Sequence, residues 1–301
     1  MTGKTEALSL RHAIALGLLH GPAELLPISS SGHTTLVPWL LGWPYGQLDP
    51  EYRKAFEVAL HAGTAAGLLL ALRREVGDAA RGFDRRRAVL LAGSFLPPAL
   101  AGSTLERPIE RRTGTPATIA AGLLVGSAAM ALVDRAPQKR RREEAGALDA
   151  LALGLAQACA LIPGVSRNGA TLVAARARRF HRGDANALSR HVALPIIVGA
   201  TALKGSRLAR RGLPRPLRAA FAAGIVASFA STLVSTALIR QVERDRSLLI
   251  SCYANALAVA DSLGAGAGYV ARQLRLDQRD GVAVVPRLNQ GPAQRETRRR
   301  V

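Results

Sequence analysis

Long apolar runs alternate with arginine-rich clusters along this 301-residue chain. Stretches 88–105, 113–133 and 219–239 contain no Asp, Glu, Lys, Arg or His over 18, 21 and 21 residues. Each suffices to cross a hydrocarbon core about 30 Å thick, which takes roughly 20 helical residues. Three more runs, 55–72, 189–203 and 247–269, are interrupted by Glu57 and His61, by Arg190 and His191, and by Asp261. Helices of a soluble bundle carry a polar face, and these runs carry none. Their Gly, Ala, Ser and Thr content suits close helix packing in lipid. The pattern predicts an all-α integral membrane protein with inverted repeats, about six transmembrane helices plus two re-entrant helical hairpins.

The two hairpins are predicted where polar residues break shorter apolar segments, GPAELLPISSSGH at 21–33 and PGVSRNGATL at 163–172. At an offset of 136 residues, Pro27, Ser30, Thr35, Leu36, Val37 and Gly63 recur as Pro163, Ser166, Thr171, Leu172, Val173 and Gly199. Two related halves follow, about 7–133 and 147–270, joined by the charged linker 134–144. They form one polytopic domain over 1–271, with a basic tail at 272–301 expected to be disordered or bound to headgroups. Three spans after each hairpin insert the second half upside down, so the two motifs meet near the midplane. Proline breaks at that depth are tolerated where they line a wet cavity or are buried in protein.

The net charge of +20 is concentrated between apolar runs, which points to anionic lipid headgroups as partners and away from nucleic acid. Loops 73–87, 134–144, 176–182 and 240–246 hold 18 Lys and Arg against 10 on the opposite face, so the first face is expected to be cytoplasmic. Cys159 and Cys252 lie in apolar context and suggest neither a disulfide framework nor a metal cluster. Glu6, Arg11 and His12 interrupt the first apolar run, so no cleavable signal is expected.

Glu24 sits among apolar residues, where an unpaired carboxylate is costly, and an intramembrane ionisable group is a candidate functional site. His20, one turn earlier, shares its helical face, and the pair is a candidate site for a divalent cation or a proton. Ser29, Ser30 and Ser31 exceed what a helix cap needs. His33 follows Ser30 at a spacing that suits a hydroxyl with a nearby base or acid. In the second motif Gly164, Ser166, Asn168 and Gly169 surround the start of a helix whose free N–H groups suit an anion. Arg167 adds a planar fork for two phosphate oxygens. His61, Gln157, His191, Asn255 and Asp261 read as interhelical or cavity residues, with His61 the first to test.

HGPAELLPISSSGH and PGVSRNGAT, with AFEVALHAGTAAGLLLALRRE and ALPIIVGATALK in order between and after them, resemble the undecaprenyl-diphosphatases of the bacitracin-resistance type from about residue 7 to 270. The resemblance implies an enzyme of the bacterial plasma membrane that hydrolyses undecaprenyl diphosphate to the monophosphate and recycles the lipid carrier of peptidoglycan synthesis. Its cavity is expected to open to the extracytoplasmic side. By motif position Glu24 is the required carboxylate, Ser30 and His33 the nucleophile and proton-transfer candidates, and Arg167 the diphosphate clamp. Ser29, Ser31, Gly164, Ser166, Asn168 and Gly169 complete the substrate site. A divalent cation, Mg or Ca, is implied as well, with Glu24 and His20 its candidate ligands, and a homodimer is left open.

Three departures stand out. His20 replaces the family's Glu or Gln, His61 stands where Gln is common, and Arg190 and His191 fall in a helix usually apolar there. A neutral imidazole is a poor ligand for a hard cation that prefers oxygen. The rival reading is a transporter that flips a polyprenyl phosphate without cleaving it. A lipid-binding or assembly protein with a decayed site is a third.

Overall fold

The computed structural model describes residues 8–242 and Asn255. Over these the chain is helical, with one isolated bridge between Arg140 and Phe180 and no strand. The helices are α1 (Leu10–Leu25), α2 (Ser30–Leu40), α3 (Pro50–Ala71), α4 (Arg73–Arg81), α5 (Arg85–Thr113), α6 (Pro116–Asp134), α7 (Ala147–Cys159), α8 (Arg167–Ala177), α9 (Arg182–Arg211) and α10 (Arg215–Val242). Local sequence sets the starts. Asp49 accepts from the Glu51 N–H with Pro50 behind it, and Thr115 and Thr118 cap each other's backbone ahead of Pro116, a use of proline at the first helical position where no N–H is needed.

Among the described residues, three helices are long and apolar enough to cross a membrane: 85–106, 116–134 and 215–237. They contain or nearly coincide with the three charge-free runs. Run 55–72 forms most of α3 and run 189–203 the middle of α9. Run 247–269, apart from Asn255, and the basic tail lie outside the described residues. Large apolar side chains point outward: Leu100, Val125, Leu132, Val226 and Val234 are each more than 60% exposed. Polar ones point inward, among them His20, Thr64, Thr171, Arg176, Ser189, Ser228 and Thr232. An apolar exterior around a polar interior is what a lipid solvent selects, since exposed apolar patches of this extent are foreign to soluble monomers.

α7 and α8 begin 137 residues after α1 and α2, one more than the spacing of the matching letters in the sequence. The caps set this register. Ser29 accepts from the Gly32 N–H at 3.3 Å and Ser166 from the Gly169 N–H at 3.1 Å. Thr34 donates to the Ser31 carbonyl and Thr171 to the Asn168 carbonyl. Ser30 therefore corresponds to Arg167, not to Ser166.

Packing repeats at the same spacing. α1 packs against α10, and α7 against α5. A Cβ on Gly17 would come within 2.6 Å of the Gly224 carbonyl oxygen, and one on Gly154 within 2.6 Å of the Gly93 carbonyl oxygen. Gly63 and Gly67 on α3 meet α10 in the same way. α10 thus runs against two glycine pairs spaced four apart, Gly17 with Gly21 and Gly63 with Gly67, the small-residue contact that lets membrane helices approach.

The 134–144 linker is built into the fold. The Asp149 carboxylate accepts both terminal nitrogens of Arg140 at 2.9 Å, Arg178 Nε at 2.6 Å and the Gly146 N–H at 2.8 Å. Arg140 also lies over the Phe180 ring at 4.4 Å. Buried Arg176 donates to the Phe180 and Ala136 carbonyls, and Arg182 pairs with Asp134. Four arginines counted toward the cytoplasmic charge excess are therefore engaged within the protein.

Gly17→Leu and Gly154→Leu are expected to lower the melting temperature in detergent, since overpacking costs about 1–3 kcal/mol or more. Gly126→Ala, with open space around it, should melt like the parent. Burial raises the Asp149 pKa, and the Arg140, Gly146 and Arg178 contacts outweigh it, holding the group at about 2, below the ordinary 3.8. Its contribution is present above 3.8 and lost as pH falls through about 2. Melting curves of the parent and Asp149→Asn should differ most near neutrality and converge as pH drops through that window.

Candidate active site

The site begins where α1 ends. Glu24 occupies the last turn of α1, and Leu26 leaves the helix in an extended conformation one residue before Pro27. Ser29 then takes φ +68°, a left-handed conformation costly for a non-glycine residue. In that conformation its hydroxyl caps α2 and its carbonyl faces His33 Nδ1 at 2.9 Å. In the second hairpin Gly164 has φ +92°, and a Cβ there would strike the Ile119 backbone. Glycine is needed at 164 for both conformation and space.

The first residues of α2 and α8 converge on one carboxylate. Ser30 Oγ donates to Glu24 Oε2 at 2.6 Å, and Arg167 Nη2 pairs with Glu24 Oε1. Only 7% of the Glu24 side chain and 18% of the Arg167 side chain are exposed, so the charges meet where water screens them little. Position 161, which corresponds to Glu24 at the structural spacing, is leucine. The carboxylate belongs to one half and its cationic partner to the other.

Asn168 ties the hairpins together. Its Nδ2 donates to the Leu25 carbonyl at 2.6 Å, and its Oδ1 accepts from Ser189 on α9 at 2.7 Å. Ser189 is also 2.6 Å from Thr171 Oγ1. A cleft runs beside this group, lined on its polar side by Glu24, Arg167, Asn168, Asn186, Ser189 and Arg190, and on its apolar side by leucines of α3 and α9.

The expected Ser30–His33 hydrogen bond is not formed among the described residues. Ser30 turns to Glu24, and His33 Nδ1 turns to its own helix, bonded to the Ser29 carbonyl. A carbonyl only accepts, so Nδ1 carries the proton and Nε2 is left bare in the neutral ring. Ser31 is exposed, with its hydroxyl 3.4 Å from that of Ser29. Gly169 packs against Ser166, Met130 and Pro27. Gln157 donates across helices to the Ser94 carbonyl, and His191 faces the Ala187 carbonyl on its own helix.

His20, Glu24 and His61 form a cluster that can hold a metal ion, one ligand atom from each lying within 4.8 Å of the others. His61 Nδ1 is 3.7 Å from Glu24 Oε2, and the two imidazole rings stand edge to face at 4.5 Å. His20 Nδ1 is held by Thr64 Oγ1 at 2.9 Å. The sequence marked His61 only as a residue to test and passed over Thr64, Asn186 and Ser189. Nothing local signals them, because α3 and α9 reach the site only through tertiary packing.

Residues 13–260 match the family model described as bacitracin resistance protein BacA. The chain is 40% identical over 255 residues to an undecaprenyl-diphosphatase of Geobacter sulfurreducens, covering 80% of this chain and 92% of that one. It is 38% identical over 255 residues to one of Pelobacter propionicus, covering 80% and 91%. With the one of Moorella thermoacetica it shares 33% identity over 260 residues, 83% and 96% of the two chains.

Asn168→Ala leaves the part-buried Leu25 carbonyl and the buried Ser189 hydroxyl without this partner, a loss of about 1–3 kcal/mol. It is expected to reduce thermal stability in detergent, whereas Ser31→Ala, an exposed change, should not.

Proposed function

The chain belongs to the bacitracin resistance protein BacA family, and from that premise we infer that it hydrolyses undecaprenyl diphosphate to undecaprenyl phosphate and inorganic phosphate at the Glu24–Arg167 site. One observation carries the assignment of residues: a hydroxyl and a guanidinium, each the first residue of a hairpin helix, meet at one buried carboxylate beside an amphipathic cleft. The fold this supports is a membrane-embedded bundle of about six spans and two re-entrant hairpins, its halves inverted relative to each other.

The substrate's tail stays in the bilayer while its diphosphate enters the cleft. Arg167 and the N–H groups at the start of α8 neutralise the arriving charge, the arrangement by which helix N-termini hold phosphates. The anion competes with Glu24 for Arg167, so binding loosens the resting ion pair and leaves Glu24 bonded to Ser30. Glu24 takes the Ser30 proton as Oγ attacks the terminal phosphorus. The bond from that phosphorus to the bridging oxygen breaks, and undecaprenyl phosphate leaves. Water then displaces the serine oxygen, which recovers its proton, and inorganic phosphate is released. By its motif position, His33 is the candidate base for this second step. Positioning and charge neutralisation supply most of the acceleration, as in other phosphoryl transfers.

The family resemblance implies Mg or Ca, which take oxygen ligands. The cluster present offers two imidazole nitrogens and one carboxylate already engaged by Ser30 and Arg167. This donor set does not fit a hard cation, and no step above runs through one.

Purified protein in detergent is expected to release phosphate from undecaprenyl diphosphate. Ser30→Ala and Glu24→Gln should lose at least about 100-fold in kcat, the low end for removing a positioned base or nucleophile. Arg167→Ala should raise KM as well. Phosphate release equal to a mock preparation would sink the hydrolase reading, and lipid flipping in liposomes without phosphate release would favour the transporter.

A further inference from the structure

We propose that His20, Glu24 and His61 form a site for a borderline first-row transition dication, with Zn2+ its best-matched ion, in place of the Mg or Ca the family resemblance implies. The inference deepens the hydrolase reading and rests on it for the site's role, while its geometry stands alone. Two imidazoles and one carboxylate are the donor set of catalytic zinc sites, which use three protein ligands. Nitrogen donors favour zinc and its first-row neighbours over Mg and Ca.

Three observations suit the cluster to such an ion. His20 is 2% exposed and comes from α1, while His61 comes from α3, so packing has brought the two rings together. His20 Nδ1 is bonded to Thr64 Oγ1 at 2.9 Å; Thr64 lies 3.3 Å from Thr232 Oγ1, which donates to the Ser228 carbonyl at 2.6 Å. A metal-bound histidine characteristically donates its second ring nitrogen to such an outer partner, and here that leaves Nε2 to bind. Glu24 Oε2 spends one acceptor direction on Ser30 and has another for a cation. The ligand atoms lie within 4.8 Å of one another; a contraction of about 1–1.5 Å would bring them to the roughly 3.3 Å spacing implied by zinc bond lengths. A dication there supplies positive charge and Lewis acidity to a phosphoryl oxygen.

The full chain in detergent, stripped with chelator and dialysed against Zn2+ with excess Mg2+ and Ca2+, is expected to retain one Zn2+ per molecule by elemental analysis. Co2+ in its place should give the visible absorption of a low-coordinate site. His20→Ala and His61→Ala should abolish retention, Thr64→Val should weaken it about 10–100-fold, and His181→Ala should leave it unchanged. His20→Glu should shift preference toward Mg2+. If His20→Ala fails to fold, His61→Ala carries the test, because about a third of that side chain is exposed (32%). Zinc retention unchanged in both histidine variants, or zinc displaced by equal Mg2+, overturns the proposal. Zinc retained without phosphate release would leave the site standing and remove the hydrolase reading. Phosphate release from protein that retains no Zn2+ after this dialysis would do the reverse.

Discussion

A carboxylate taken out of water loses several kcal/mol of solvation unless partners restore it, and Glu24 is almost wholly enclosed. Its restoring partners come from both halves of the chain: Ser30 follows it by six residues, and Arg167 by 143. This pairing requires both hairpin helices to start at the same place. The breaks at Pro27 and at Pro163–Gly164, the left-handed Ser29 and the glycine forced at 164 are the backbone conditions that allow it. Asn168 adds a second link a residue away by bonding the Leu25 carbonyl.

The scaffold that holds this pairing is apolar on both sides of its helices. Leucines and valines cover the outside, and hydroxyls, histidines and a buried arginine lie among the apolar side chains inside. With lipid as solvent, apolar burial no longer drives helices together, and close packing of small residues takes over. Gly17 of α1 against α10 and Gly154 of α7 against α5 are corresponding expressions of that rule. Equivalent positions kept the capping serine and changed the chemistry: Ser30 and Arg167 share a place in their helices, while the counterpart of Glu24 at the same spacing is Leu161.

That divergence makes the site chemically asymmetric. One half brings an acid, a hydroxyl and imidazoles; the other brings a guanidinium at a helix start. On the proposed reading, an anionic headgroup drawn toward Arg167 would meet the acid-bonded hydroxyl of Ser30 at the same carboxylate. Two histidines beside that carboxylate set this chain's donor atoms apart from the oxygen-rich set its resemblance implies.

Much of this was legible in the residues themselves. Charge-free runs of membrane length announced the helices of α5, α6 and α10, and the polar motifs announced Glu24, Ser30 and Arg167, because burying such groups is costly enough to demand a reason. Spacing within a motif proved a weaker guide. Ser30 and His33 sit one turn apart yet take different partners, since the backbone at Ser29 turns the imidazole toward its own helix. Matching letters likewise placed the repeat one residue out of register, because the caps, not residue identity, fix where each helix begins. The sequence by itself determined that the chain is helical, alternates apolar runs with arginine clusters and carries an acid and an arginine in its motifs. Only the tertiary structure decided that these two meet, that His61, Thr64 and Ser189 join them, and that Thr64 holds one nitrogen of His20. Those contacts join residues tens to more than a hundred positions apart, and no local periodicity records them.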